Sequence, residues 1–255
     1  MDDPKDLMRR EWDRIAAENA YYGIASWDEF ADPASLDEDR FWQSGAVLAD
    51  NLVAHLGLAD AQSLAVVEIG CGNGRVTHRL AQRFREVWAL DISPEMIARA
   101  RERWGHLANV RFVANSGVDL APVPAASADV VLSFIVLHHV TDPAIVLSYV
   151  RDTARVLRPG GVALLHVHSV ERNWVRGLAR RLRRRPPFEA WWDRGFTPRA
   201  EDGAAAPPTA IVTSRVWAGS RVPVGALRRA ARSAGLKIER AEGEGTFWTF
   251  LTLRR

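Results

Sequence analysis

A single cysteine among 255 residues leaves no partner for an internal disulfide, so Cys71 fits a reducing compartment, and a cytoplasmic protein is expected. No window holds the roughly 18–20 uninterrupted apolar residues that a membrane-spanning helix needs. The start, Met1-Asp2-Asp3-Pro4-Lys5-Asp6, has no apolar run behind a basic segment, so a secretory signal is not expected. Neither paired cysteines nor an H-x-x-x-H helix is present to hold a metal, and none is expected. Strong net charge is missing as well: the formal balance is +3. Even that is local. Arg172, Arg176, Arg180, Arg181, Arg183, Arg184 and Arg185 fall in one stretch without an acid, and elsewhere 27 basic side chains face 31 acidic ones.

What is present centres on Val66-Val67-Glu68-Ile69-Gly70-Cys71-Gly72-Asn73-Gly74-Arg75. An apolar strand runs into a turn whose glycines lack Cβ atoms, so the backbone can bend sharply and come close to a ligand. A second apolar run, Glu86-Val87-Trp88-Ala89-Leu90, ends in Asp91. A carboxylate placed about 17–20 residues beyond the turn can accept hydrogen bonds from both hydroxyls of a ribose. The dinucleotide fingerprint G-x-G-x-x-G would need a glycine at Arg75, and Glu68 adds negative charge beside the turn. Both features argue against a pyrophosphate. A nucleoside with a free ribose fits better.

At these residues the chain resembles the class I S-adenosylmethionine-dependent methyltransferases. The resemblance runs from about Leu64 to Val167 and continues more weakly at 236–253. Beyond the glycine turn and the segment from Ala89 to Met96, three motifs carry it: Val110–Gly117; Ser127–Phe134 with Leu137-His138-His139-Val140 behind it; and Arg155–Gly161. It implies S-adenosyl-L-methionine as cofactor. It also implies a Rossmann-like, doubly wound α/β sheet of seven strands, mostly parallel with the last strand antiparallel. By the same resemblance Glu68 and Gly70, Cys71, Gly72, Asn73 and Gly74 face the methionine and ribose end, and Asp91 holds the ribose hydroxyls. Ile92 and Met96 flank the adenine, Ser116 and Gly117 meet its edge, and Ser133 and Phe134 lie beside the methionine portion. Relatives often carry Asp or Asn where Ser116 stands.

Periodicity divides the chain into four parts: a helical cap (1–60), a cofactor-binding core (61–168), an arginine-rich insertion (169–223) and a closing helix with a β-hairpin (224–255). In the cap, Leu7, Met8, Trp12, Ile15 and Ala16 recur at helical spacing, and Ser35-Leu36-Asp37-Glu38 reads as a capping box for a second helix. Strands are expected near 64–69, 86–91, 110–114, 129–135 and 161–167, with helices starting near Arg75, Pro94 and Pro143. Pro159-Gly160-Gly161 should end a helix and start a buried strand. The insertion reads as a substrate lid at the carboxyl edge of the sheet.

Methyl transfer from a sulfonium is an in-line displacement, so alignment of donor and acceptor supplies much of the rate. Aromatic faces can stabilise the cation and exclude water, and Tyr21, Tyr22, Trp27 and Trp42 are candidates that could equally pack the cap. A hydroxyl or ammonium acceptor must also lose a proton. His139, at the end of the fourth strand, and His166 and His168, two apart near the end of the fifth, are candidate bases; the latter pair could instead be structural. His138 and His139, as sequence neighbours, should diverge. The arginine run, with Trp174, Leu178 and Leu182, forms a basic amphipathic helix suited to a solvated lid, an anionic substrate, an acidic membrane or nucleic-acid phosphates. The expected function is methylation of oxygen or nitrogen on a small molecule, in specialised metabolism. The rivals are a nucleic-acid methyltransferase and a non-catalytic cofactor-binding regulator or partner subunit.

Overall fold

The computed structural model describes residues 3–58, 60–171, 216 and 219–255. The arginine run and most of the insertion therefore lie outside the described residues. Helix α1 (Pro4–Ile24) starts behind Asp3, whose side chain accepts from the Lys5 N–H, with Pro4 in a first turn where its missing N–H costs nothing. Helical geometry breaks at Asn19 (φ −160°, ψ 90°), because its Nδ2 donates to the carbonyls of Phe30 (3.0 Å) and Ala31 (3.2 Å). Helix α2 (Glu38–His55) is capped by Asp37, which accepts from the Arg40 N–H at 3.0 Å. The expected cap, Ser35, instead belongs to a short 3-10 turn (Pro33–Ser35) capped by Asp32. Pro33 starts that turn and moves the helix boundary two residues on.

Strands and helices then alternate: β1 (Ala65–Ile69), α3 (Thr77–Arg83), β2 (Glu86–Asp91), α4 (Pro94–Trp104), β3 (Val110–Ala114), β4 (Ala128–Ser133), α5 (Pro143–Val156) and β5 (Leu157–Val167). Two short strands, β6 (Ser169–Val170) and β7 (Val222–Pro223), pair with each other in parallel. Helix α6 (Val224–Ser233) leads to β8 (Lys237–Glu242) and β9 (Thr249–Arg254). The main sheet has seven strands in the order β3-β2-β1-β4-β5-β9-β8. β9 runs antiparallel to both β5 and β8, so the reversed strand is the last in sequence but not the edge. Pro94 and Pro143 occupy first turns, and Ser93 and Asp142 cap those helices through the N–H groups of Met96 (3.0 Å) and Ala144 (2.8 Å).

One expectation is corrected at β5. The strand begins at Leu157, before the Pro-Gly-Gly, and its pairing with β4 shifts register between Ala128 and Val130. Pro159 has no N–H to give the ladder, and Gly160 turns to φ +83°, so the irregularity absorbs both.

The chain forms two compact units, one reaching Gly117 and one starting at Val118. In the first, β1 is buried along its whole length, and Ile15, Phe30, Phe41 and Leu48 are among the fully buried cap side chains. In the second, β4, β5 and β9 carry the core with Val146, Val150 and Leu227 from the helices. Among the described residues, no helix is long and apolar enough to cross a membrane.

Candidate functional site

In the first unit, parallel pairing of β1 with β2 brings the two strand tips together. The N–H groups of Gly70 and Cys71 both donate to Leu90 O (2.7 and 2.9 Å). Gly72 N–H donates to Asp91 Oδ2 (2.8 Å) and Ser93 N–H to Oδ1 (2.9 Å). Each carboxylate oxygen thus takes a backbone donor that fixes its direction, the Ile92 N–H also faces the carboxylate, and its four lone-pair sites still leave acceptor capacity over. Burial raises the Asp91 carboxyl to about 6, while the backbone donors Ser93 and Gly72 oppose the rise. Ser93 also reaches the cap, its Oγ donating to Asp13 Oδ1 at 2.5 Å.

The turn itself cannot carry side chains at two of its glycines. Gly72 (φ +54°) and Gly74 (φ +89°) adopt left-handed backbone, and a Cβ there would lie 2.8 Å from Ile24 Cδ1 and 2.6 Å from Trp104 Cδ1. Asn73 is buried, and its Oδ1 has no hydrogen-bond partner among the described residues. Cys71 is buried with its thiol pushed well above the usual range by desolvation, which leaves it unreactive. Glu68 is carried inward by the strand. Burial raises its carboxyl to about 7, and its Oε2 accepts from Thr77 Oγ1 at 2.6 Å.

At the next strand tip, Asn115 N–H donates to Asp91 O (2.8 Å) and Asn115 Oδ1 accepts from Gly117 N–H (3.2 Å). Gly117 has φ +79°, and a Cβ on it would meet Ile92 Cδ1 at 2.2 Å. Ile92 and Gly117 therefore lie against each other, with half-buried Ser116 beside them. Met96 packs with Ala16 and Ala20 of α1, and Ile24, which also meets Gly72, lies against that group.

The cap aromatics form a cluster that reaches Trp104 of α4 and His78 of α3 through Trp42 (5.2 and 6.0 Å). Tyr21 meets Phe41 and Trp42 edge-on (4.8 and 6.1 Å), Trp27 stacks on Phe30 (5.4 Å), and Trp42 Nε1 donates to Glu38 (3.3 Å). Tyr22 is buried, its N–H donating to Asn19 Oδ1. Arg103 lies 4.5 Å from the Trp42 ring centroid.

The second unit gathers the histidines. Leu137–His139 is a 3-10 turn, and the rings of His138 and His139 stand 3.8 Å apart at 43°. Their expected divergence is corrected: neighbours diverge on an extended strand, where side chains alternate, but not on a tight helical turn. His138 is 5.0 Å from His166 and 4.7 Å from Phe247. Its Nδ1 has no partner among the described residues, and burial pushes it well below the usual imidazole range. His166 is fully buried. Its Nδ1 accepts from Ile135 N–H (3.1 Å) and its Nε2 faces Phe247 O (3.1 Å), so no ring nitrogen is left for a substrate proton. Burial lowers it to about 3. Half-buried His168 meets the same Phe247 ring edge-on at 5.3 Å, so the i, i+2 pair does share a side. Ser133 is buried with an unpartnered Oγ among the described residues, and Phe134 stacks on Phe250 (6.0 Å).

Several contributors carried little signal in the sequence. Thr77, nine residues past Glu68, is readable only as a polar residue in a first helical turn. Asp13 sits on an amphipathic helix where any acid would look solvated. Arg75 is buried, its Nη1 donating to Ser44 Oγ (2.8 Å), and burial lowers it to about 10. Phe247 and Trp248 belong to a hairpin loop that composition alone marks only as a turn.

Residues 67–165 match the family model described as methyltransferase domain. Malonyl-[acyl-carrier protein] O-methyltransferase of Hahella chejuensis is 37% identical over 98 residues, 38% of this chain and 33% of the relative. Ubiquinone biosynthesis O-methyltransferase of Xanthomonas oryzae is 34% identical over 120 residues, 47% of this chain and 48% of the relative. The chain thus spans a third to a half of the length of these relatives. Among solved structures, magnesium protoporphyrin IX methyltransferase from Synechocystis with bound S-adenosylmethionine superposes with TM-score 0.59 at 16% identity, over 100% of this chain and 99% of that one. A S-adenosylmethionine-dependent methyltransferase from Mesorhizobium loti gives 0.53 at 19% identity, over 81% and 98%. Those two likenesses speak for the fold. The matched segment, with the two relatives that align over it, marks residues 67–165 as a methyltransferase domain.

Proposed function

We propose that this protein binds S-adenosyl-L-methionine in its first unit and transfers the methyl group to an oxygen or nitrogen of a small-molecule acceptor. The observation that carries the reading is Asp91. Its two oxygens are aimed by the N–H groups of Gly72 and Ser93, and the carboxylate keeps acceptor capacity for a ribose diol. Asn73 Oδ1 is a further buried acceptor still to be satisfied, and a polar ligand at the turn would satisfy it. Gly72 and Gly74 supply the left-handed backbone that the turn needs where Ile24 and Trp104 leave no room for a Cβ. The residues present therefore fit a nucleoside.

When bound, the cofactor supplies an electrophilic methyl on a sulfonium. The protein's contributions are orientation through Asp91 and the turn, a dry surrounding, and a place for the acceptor's proton. His139 is the candidate for the last role, since His166 has both ring nitrogens engaged. Oxygen is favoured over nitrogen because the two relatives at 34–37% identity are both named O-methyltransferases. A cytoplasmic setting is supported by the lone, buried Cys71. Contact with an acidic membrane through 172–185 rests on sequence only.

The test has two stages. Calorimetry with S-adenosylmethionine and S-adenosylhomocysteine should give one site per chain; absence of binding would sink the reading. Turnover against a panel of phenols, carboxylic acids and amines should then give methylated product. Binding with no turnover on any of them, even with extracts of small metabolites, would favour the non-catalytic regulator.

A further inference from the structure

Ile135, in the loop after β4, has φ +53°. For a β-branched residue the left-handed region is a genuine outlier, held only when neighbours over-determine it. The neighbour here is His166 of β5, whose Nδ1 accepts the Ile135 N–H at 3.1 Å. The same ring faces Phe247 O through Nε2 at 3.1 Å, and lies nearly parallel to Trp248 (5.1 Å, 13°) and Phe250 (4.7 Å, 15°). Since a backbone N–H can only donate and a carbonyl can only accept, these two bonds specify one state: neutral imidazole, proton on Nε2.

We propose that His166 is a positioning residue that clamps the strained Ile135 and so sets the loop carrying Ser133, Phe134 and the His138–His139 turn. The clamp lies wholly within the second unit and stands whether or not the methyl-transfer reading holds. It assigns His166 a task other than proton removal.

The two bonds are not equivalent. The hairpin loop at Phe247 has other anchors: Gly245 N–H donates to Ser169 Oγ (2.7 Å), Ser169 N–H to Thr246 O (3.0 Å), and Arg228 holds Glu244 with two bonds of 2.8 and 3.0 Å. Phe247 is thus a fixed post. The Nδ1 acceptor is what opposes the strain at Ile135, and losing it also leaves a backbone donor unmatched. The titratable groups facing the ring are His138 at 5.0 Å, with His139 and His168 further off; no carboxylate among the described residues is recorded against it to stabilise a cation.

Nitrogen-15 NMR of the imidazole and two amide variants test this. The His166 ring should be neutral with its proton on Nε2 from about pH 8 down to about pH 5. His166→Asn can keep an acceptor near Nδ1, whereas His166→Gln can keep only the bond to Phe247. Hydrogen exchange at the Ile135 amide should stay within about threefold of the parent in the Asn variant and speed up roughly tenfold in the Gln variant, the cost of an unmatched buried donor. In an Ile135→Gly background, where left-handed backbone is free of strain, the Gln penalty should shrink to about twofold. A proton on Nδ1, or a ring that titrates near pH 6, would overturn the proposal even if a variant failed to fold. Equal losses of protection for Asn and Gln, or an undiminished Gln penalty in the Gly background, would also overturn it. If the parent chain binds no cofactor, the methyl-transfer reading fails instead, and the tautomer still decides the clamp.

Discussion

The glycine turn of the first unit and the histidine cluster of the second both bury ionisable groups, but of opposite kinds. Around the turn, burial lifts Glu68 to about 7 and Asp91 to about 6. In the cluster, burial lowers His166 to about 3 and pushes His138 well down. In each region burial thus works against the charged form. Their partners differ. Asp91 is held by backbone donors that leave acceptor capacity open, whereas His166 is consumed by its two bonds and its aromatic neighbours Phe134, Phe247, Trp248 and Phe250. A ligand-binding group keeps spare valence. A structural one does not.

The sharpest way to break this contrast is to remove the spare valence. Asp91→Ala should weaken S-adenosylmethionine binding at least about a hundredfold, as two charge-assisted bonds are lost, and an unchanged affinity by calorimetry would remove Asp91 from the site. His139→Ala should slow methyl transfer by roughly two orders of magnitude with donor affinity unchanged; unaltered turnover would exclude it as the base.

Stability against pH comes next, and the two regions should respond with opposite sign. The folded pKa of Glu68 lies above its ordinary 4.5, so its contribution is fully present below that value and is lost as pH rises through about 7. Glu68→Gln should therefore stabilise the chain by about 2–3 kcal/mol at pH 8 and hardly at all at pH 4, read by denaturant unfolding. His166 runs the other way: its folded pKa lies below 6.5, so its contribution is present above that value and is lost as pH falls toward about 3. A chain carrying Glu68→Gln and Asp91→Asn, whose opposing titrations are thereby removed, should lose stability between pH 6 and pH 4; no fall would contradict the burial of His166. Smallest of all, Thr77→Val removes one hydrogen bond from Glu68 and should cost about 1 kcal/mol at pH 8 while shifting the Glu68 titration upward, followed by carboxyl NMR.

Much of the first unit was legible because its constraints are local. A glycine at φ > 0, a proline in a first helical turn and a carboxylate at a strand tip each announce themselves within a few residues, and Gly72, Pro94 and Asp91 did so. The sheet and its reversed last strand came from the resemblance together with the hairpin at 242–245. The second unit was less legible because its contacts join segments far apart. His166 and Phe247 lie 81 positions apart, and nothing in either segment says that one ring will be wedged by the other's loop. Local rules also failed where two compete: Pro33 displaced the cap from Ser35 to Asp37, and a 3-10 turn drew together histidines that an extended strand would separate.

The most direct test of a donor site built around Asp91 is titration of the purified chain with S-adenosylhomocysteine, parent beside Asp91→Ala, with no acceptor present. One site per chain in the parent, and its loss in the variant, is the predicted result. Equal binding by both, or binding by neither, would contradict it.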